Sequence, residues 1–84
     1  MRHTVVWKPA AEQELAGIWN EAADRVAVTA AANTIDRLLR TSPRDQGESR
    51  SGITRIMFVY PLGVIYDAQQ QDRLVSVLRV WRVL

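Results

Sequence analysis

Three strand-like segments close this chain, and the gaps between them leave room only for tight turns. "ITRIMFVY" (53–60), "VIYDA" (64–68) and "LVSVLRVWRVL" (74–84) are rich in Val, Ile, Leu and aromatic residues, and only "PLG" and "QQQDR" separate them. Strands joined this closely pair antiparallel, because parallel neighbours need a crossover of a dozen or more residues. The second half of the chain is therefore an antiparallel meander. Ahead of it, "HTVVW" (3–7) reads as one more short strand. Ala11, Leu15, Ile18, Trp19 and Ala22 then recur at helical spacing to about residue 23, with Pro9 suited to the first turn. Val28, Ala31, Ile35, Leu38 and Leu39 mark a second helix over about 26–41, which Asp24 is placed to cap. Glu12 and Glu14 near the start of the first helix, and Arg37 and Arg40 near the end of the second, sit at the ends the helix dipole favours.

The break between the helices is short, which predicts an antiparallel helical hairpin. "TSPRDQGESRSG" (41–52) is polar and punctuated by Pro43, Gly47 and Gly52, so it reads as a loop. The expected order is β-α-α-β-β-β. This is an α+β fold in which the hairpin covers one face of a small antiparallel sheet, with Leu15 and Trp19 as its anchors. The 84 residues suffice for one domain, spanning 1–84.

Composition narrows the chemistry. There is no cysteine, hence no disulfide and no thiolate metal site, which suits a reducing cytoplasm. No stretch approaches a membrane span, and the apolar run in "MRHTVVWKPA" is far too short for a signal peptide, so a cytoplasmic protein is expected. His3 is the one histidine, so a Ser-His-Asp set has no other base to use; metal spacing and a Gly-rich phosphate loop are absent, and no cofactor is expected. Asp45 and Glu48, on the 41–52 loop, are the carboxylates placed to act as a base. The net charge of +2 lies in residues 43–84, since residues 1–42 balance five cations with five anions. Ten of the eleven cations are arginine, the better fork for phosphate or carboxylate, although a high-GC genome gives an arginine-rich surface equally well. An excess of +2 is too small to indicate nucleic acid from charge alone.

The arginines inside the strands are more informative. Arg55 shares a strand face with Met57 and Val59, opposite Ile56, Phe58 and Tyr60. Both faces of this strand are apolar, which suggests a sheet whose second face a partner covers. Arg79 and Arg82 stand an odd number of positions apart in the last strand and so point to opposite faces.

Taken in order, these segments resemble the RelE/ParE superfamily of bacterial type II toxins. The opening "VVWKPAAEQEL", the aromatic-bearing helix "GIWNEAA", the second helix ending before a proline in "IDRLLRTSP", the Gly52-to-Arg55 spacing, the strand "GVIYD" and the closing "VLRVWR" all match, over nearly the whole chain. The resemblance implies a cytoplasmic toxin of a toxin–antitoxin system, of the growth-inhibiting, plasmid-stabilisation type. Its partner would be a cognate antitoxin that wraps it in a hetero-oligomer. It implies one of two targets: DNA gyrase, bound by ParE-like members, or mRNA in the ribosome, cleaved by RelE-like endoribonucleases. Arg55 matches the arginine that nuclease members place near the scissile phosphate, and Arg79 and Arg82 fall on basic positions of the last strand.

Departures from the nuclease pattern are equally clear. Gly63 stands where many relatives carry an arginine, Leu84 where many nucleases carry a tyrosine, and lysines before the meander are missing. RNA cleavage needs a base and an acid as well as cations, and arginine supplies only the last. The resemblance therefore points to a ParE-like toxin that acts by binding. A ribosome-dependent nuclease using Arg55, Arg82 and Glu48 is the alternative, and an inactive relative kept as an antitoxin-binding domain is another. The expected contact residues for target or antitoxin are Arg55, Met57, Arg79, Trp81 and Arg82. Arg55 and Arg82 are expected to share a groove on the face away from the helices, with Arg79 on the helix side.

Overall fold

The computed structural model describes residues 2–83. Its elements are β1 (Thr4–Trp7), α1 (Pro9–Glu21), α2 (Arg25–Thr41), β2 (Glu48–Ser51), β3 (Thr54–Val59), β4 (Leu62–Gln69) and β5 (Leu74–Arg82). The strands form one sheet in the order β1-β5-β4-β3-β2. The two helices pack on one face of it, and the α+β helical-hairpin-on-sheet architecture is the expected one.

Four details differ from expectation. The 41–52 loop contains an additional edge strand, β2, whose four residues are all exposed and polar. Without apolar alternation it left no strand signal in the sequence. The sheet is mixed, because β1 pairs in parallel with β5, from Thr4 opposite Leu74 to Trp7 opposite Val77. The two intervening helices supply the long connection that a parallel pair requires. The β3–β4 turn is tighter than "PLG": Leu62 and Gly63 already belong to β4, so Tyr60 and Pro61 alone make the bend, across a cis peptide bond. β5 ends at Arg82, and Leu84 lies outside the described residues.

The core lies between the sheet and the hairpin. It contains Ala11, Val28, Ala31, Ile35 and Leu39 from the helices, and Met57, Leu62, Val64, Tyr66, Ala68, Val75, Val77 and Val80 from the strands. Leu15, Ile18 and Ala22 pack against its margin. Trp19 does not: it is 42% exposed, so the expected anchoring role is corrected. It sits at the flank of the α1 stripe, where its indole Nε1 donates to Thr29 Oγ1 at 3.0 Å. The Arg25 guanidinium lies 4.7 Å over its ring. The same guanidinium donates to the Trp19 and Asn20 carbonyls at 3.0 and 2.9 Å, at the end of α1 where the Trp19 carbonyl also accepts the Ala22 N–H at 3.3 Å. Asp24 makes no side-chain cap for α2; its carboxylate is used elsewhere.

Candidate functional site: the two faces of the sheet

Strand register decides which side chains reach which face. Leu62, Val64 and Tyr66 of β4 face the helices, and their partners on β3 are Val59, Met57 and Arg55. On β5, Leu62 stands opposite Arg82, Val64 opposite Val80, and Tyr66 opposite Val77. One extra residue, Leu78, interrupts this last pairing, since Ile65 opposes Arg79 while Tyr66 opposes Val77. This bulge keeps Val77 and Val80 on the same buried side despite their odd spacing. A bulge of this kind leaves no mark in the sequence, and it is why the orientation of β5 was not legible there.

The arginine expectations are corrected accordingly. Arg79 and Arg82 do take opposite faces, but in the reverse sense. Arg82 is on the helix side and donates through Nη2 to Asp24 Oδ2 at 2.8 Å, at the turn of the hairpin. Arg79 turns over the edge of the sheet, where Nε and Nη2 both reach Glu14 Oε2, at 2.8 and 2.6 Å. The other Glu14 oxygen accepts the Val80 backbone N–H at 3.1 Å, so α1 closes the part of the β5 edge that β1 does not cover.

Arg55 and Arg82 share the helix-facing side, yet not one groove. Their partners Tyr66 and Leu62 are four residues apart on β4, and their strands flank it. That places them about 13 Å apart along the strands and about 10 Å across them. Arg55 donates to the Gln46 carbonyl at 2.9 Å and the Gly47 carbonyl at 3.2 Å. Beside it, the buried Tyr66 hydroxyl donates to the Pro43 carbonyl at 2.7 Å. Burial raises the Tyr66 pKa above its ordinary value, partly offset by Arg55. Together they fasten the 43–47 segment to the sheet. Gly47 makes this approach possible: it has φ +62°, and a Cβ there would lie 2.0 Å from the Ile56 carbonyl oxygen. Met57, expected at a binding surface, is buried under the helices. Glu48 stands opposite Ile56, on the other face from Arg55.

The face away from the helices carries an open apolar patch. Phe58 is 59% exposed. The Phe58 and Trp81 rings meet edge to face, with centroids 6.0 Å apart and planes at 81°. They close over Gly63, where a Cβ would meet the Trp81 ring at 2.7 Å and Phe58 at 2.9 Å. At Gly63 this chain therefore has a floor for two aromatic rings. Ile56 and Ile65 continue the patch, opposite each other in the ladder. Of the expected contact residues, Trp81 belongs to this surface, and Arg79, opposite Ile65, stands at its edge. Phe58 was legible as sharing a strand face with Ile56, but nothing in the sequence said which face would be covered.

A second concave feature lies between the helices, a groove of about 680 Å³ whose walls include Trp7, Leu15, Trp19, Val28 and Ala32. Among the described residues no group of His, Cys, Asp and Glu is arranged to hold a metal. No helix is long and apolar enough to cross a membrane.

No family model matches the sequence, and no curated protein matches it. Solved structures do. A chain of the chromosomal ParDE toxin–antitoxin system from P. aeruginosa superposes with a TM-score of 0.76, covering 99% of this chain and 98% of that one at 16% identity. The chain has the RelE/ParE fold. The RelBE2 toxin–antitoxin complex from Mycobacterium tuberculosis gives a TM-score of 0.72 at 19% identity, over 98% of this chain and 92% of the other. The isolated E. coli RelE toxin gives 0.69 at 14% identity, over 98% and 85%. The RelE/ParE fold also matches about a third of TrmO from P. aeruginosa, at a TM-score of 0.61 and 22% identity.

The two ion pairs give this fold a defined acid response. The Arg79 hydrogen bonds hold the Glu14 carboxyl below its ordinary pKa of 4.5, against the opposing effect of burial. The Arg82 hydrogen bond does the same for Asp24 against its ordinary 3.8. A carboxyl depressed in the folded state contributes stability above its unfolded pKa and loses it as pH falls through the folded one. Glu14→Gln keeps an acceptor for Val80 but no charge. Denaturation midpoints measured from pH 6 to pH 3 are expected to fall less steeply in this variant than in the wild type. Parallel curves would show that the Glu14–Arg79 pair does not contribute.

Proposed function

We propose that this protein is the toxin of a type II toxin–antitoxin pair, acting by binding its target rather than by cleaving RNA. The observation that carries the reading is the open aromatic face around Phe58 and Trp81, on a fold that it shares with ParDE and RelBE proteins. The two helices cover one face of the sheet and leave Phe58 on the other exposed. Exposed apolar surface of this kind marks a protein interaction site. The proposed occupant is the cognate antitoxin; RelBE2 and E. coli RelBE, which share the fold, are toxin–antitoxin complexes.

Binding rather than cleavage is favoured because the nuclease candidates are dispersed. Arg55 is spent on loop carbonyls, Arg82 pairs with Asp24, and Glu48 lies on the opposite face from both. General acid–base groups need hydrogen-bond reach of one reacting centre, and these three do not converge on one. The target proposed is therefore the ParE-like one, DNA gyrase.

Induced expression in a bacterial host, with DNA, RNA and protein synthesis labelled separately, tests the reading. The expected result is growth arrest with DNA synthesis failing first and a DNA-damage response, relieved by co-expression of the product of the neighbouring gene. Prompt loss of translation with cut mRNA would establish the nuclease instead. Undisturbed growth would establish an inactive relative.

A further inference from the structure

The open face of the sheet changes character along its strands. Next to the Phe58–Trp81 pair, the ladder sets Ile56 of β3 beside Ile65 of β4, and Ile65 beside Arg79 of β5. One step further on, it sets Thr54 beside Asp67, Asp67 beside Ser76, and Ser76 beside Val6. Asp67 and Ser76 point away from the helices, because Tyr66, Ala68, Val75 and Val77 on either side of them are buried in the core. A largely polar band thus crosses the open face. It lies four residues along β4 from Gly63, about 13 Å from the aromatic pair.

Asp67 carries the charge of this band. It is half-buried, on the middle strand of the five, and its Oδ1 accepts the Thr54 hydroxyl at 2.5 Å. The ion pairs among the described residues are Arg40–Asp36, Arg79–Glu14 and Arg82–Asp24, and Asp67 is in none of them. Arg79, one row away, is turned over the sheet edge to Glu14. In the free protein water solvates the Asp67 carboxylate. Under a partner that water is lost, and a carboxylate buried without a cation is strongly unfavourable. An interface of ordinary size buries about 800 Å² on each side, a patch roughly 30 Å across. A partner centred on Phe58 and Trp81 therefore covers Asp67 as well.

We infer that the antitoxin segment lying on this face carries an arginine or lysine that pairs with Asp67. This rests on the toxin–antitoxin reading and specifies the chemistry of the partner: an apolar group on the aromatic pair, and a cation about 13 Å from it along the strand direction. In a segment running with the strands, the two are about four residues apart if it is extended and about nine if it is helical. The Thr54 hydroxyl holds the carboxylate in one orientation before the partner arrives, and such pre-organisation lowers the cost of forming the pair. A carboxylate has about four acceptor sites and Thr54 fills one, which leaves room for a guanidinium or an ammonium group.

Asp67→Asn tests the pairing by the sign of its effect. The variant keeps an acceptor for Thr54 and removes the charge. With a cation opposite, that cation is left buried and unpaired, and affinity for the product of the neighbouring gene is expected to fall at least about 10-fold. Its salt dependence is expected to weaken as well. With no cation opposite, removal of an uncompensated carboxylate tightens binding instead. Titration calorimetry of the wild type, Asp67→Asn and Phe58→Ala, with urea denaturation of each isolated protein, reads these outcomes apart from any change in folding. Tighter or unchanged binding by Asp67→Asn, with weaker binding by Phe58→Ala, overturns the pairing and leaves the antitoxin reading standing. Failure of the wild type to bind the neighbouring product overturns both. Charge exchange gives a second measure. Asp67→Arg is expected to lose binding, and one antitoxin variant among those with a single arginine or lysine changed to aspartate is expected to restore it. Absence of any restoring variant overturns the pairing. Self-association of the isolated protein that Phe58→Ala abolishes assigns the face to a second copy of the chain and overturns it too.

Discussion

Replacing Ile35 with alanine is expected to lower stability by about 2–5 kcal/mol, the range for deleting a buried aliphatic side chain whose site cannot collapse. Ile35 is fully buried, between Ala31 and Leu39 on the inner face of α2, in the core cluster that holds the hairpin to the sheet. Native domains hold only about 5–15 kcal/mol in total, and small ones lie at the low end. Each kcal/mol moves the midpoint of a 60–100-residue domain by about 4–8 °C, so the thermal midpoint is expected to fall by at least about 8 °C. Trp19→Ala is the contrast. Its indole packs on Arg25 and Thr29 in partial exposure, and an exposed cation–π contact contributes about 0.5–1 kcal/mol. A large residue at the flank of a stripe is thus expected to matter less than a smaller one at its centre. Paired thermal melts check this; equal losses in the two variants would place Trp19 in the core.

That contrast shows what was legible before the structure. Helix existence, order and phase followed from periodicity, and Val28, Ala31, Ile35 and Leu39 are buried as their spacing required. Trp19 misled because spacing locates a stripe but not its width, and an aromatic at the margin reads as core. β2 was missed because an edge strand exposed on both faces carries no alternation to detect. The arginines of β5 were legible as opposed but not as oriented. Orientation depended on the extra residue at Leu78, a matter of pairing between strands rather than of either strand alone. Arg79 and Arg82 then found carboxylates at Glu14 and Asp24, both of which read as helix-end residues. Charges expected to face a partner are held within the chain, and the partner surface is carried by aromatic residues instead.

Phe58→Ala is expected to weaken antitoxin binding by about 2 kcal/mol or more, roughly 30-fold, while leaving the isolated fold nearly unchanged. Interface hot spots are large residues at the desolvated centre of the contact, and aromatic side chains there cost this much when truncated. Phe58 meets that description only once a partner covers it, because in the free protein it is 59% exposed and meets Trp81 in a single edge-to-face contact. Its loss therefore removes little buried surface from the monomer. Trp81→Ala is expected to act in the same direction with a larger cost to the monomer, since Trp81 is half-buried over Gly63. The two truncations are coupled, because each ring supports the other, so the double variant should lose less than the sum of the singles. Titration calorimetry with the co-expressed antitoxin, alongside urea denaturation of each isolated variant, separates binding from folding. Affinity unchanged in Phe58→Ala would place the partner on the helical side of the molecule and leave the aromatic face to the cellular target.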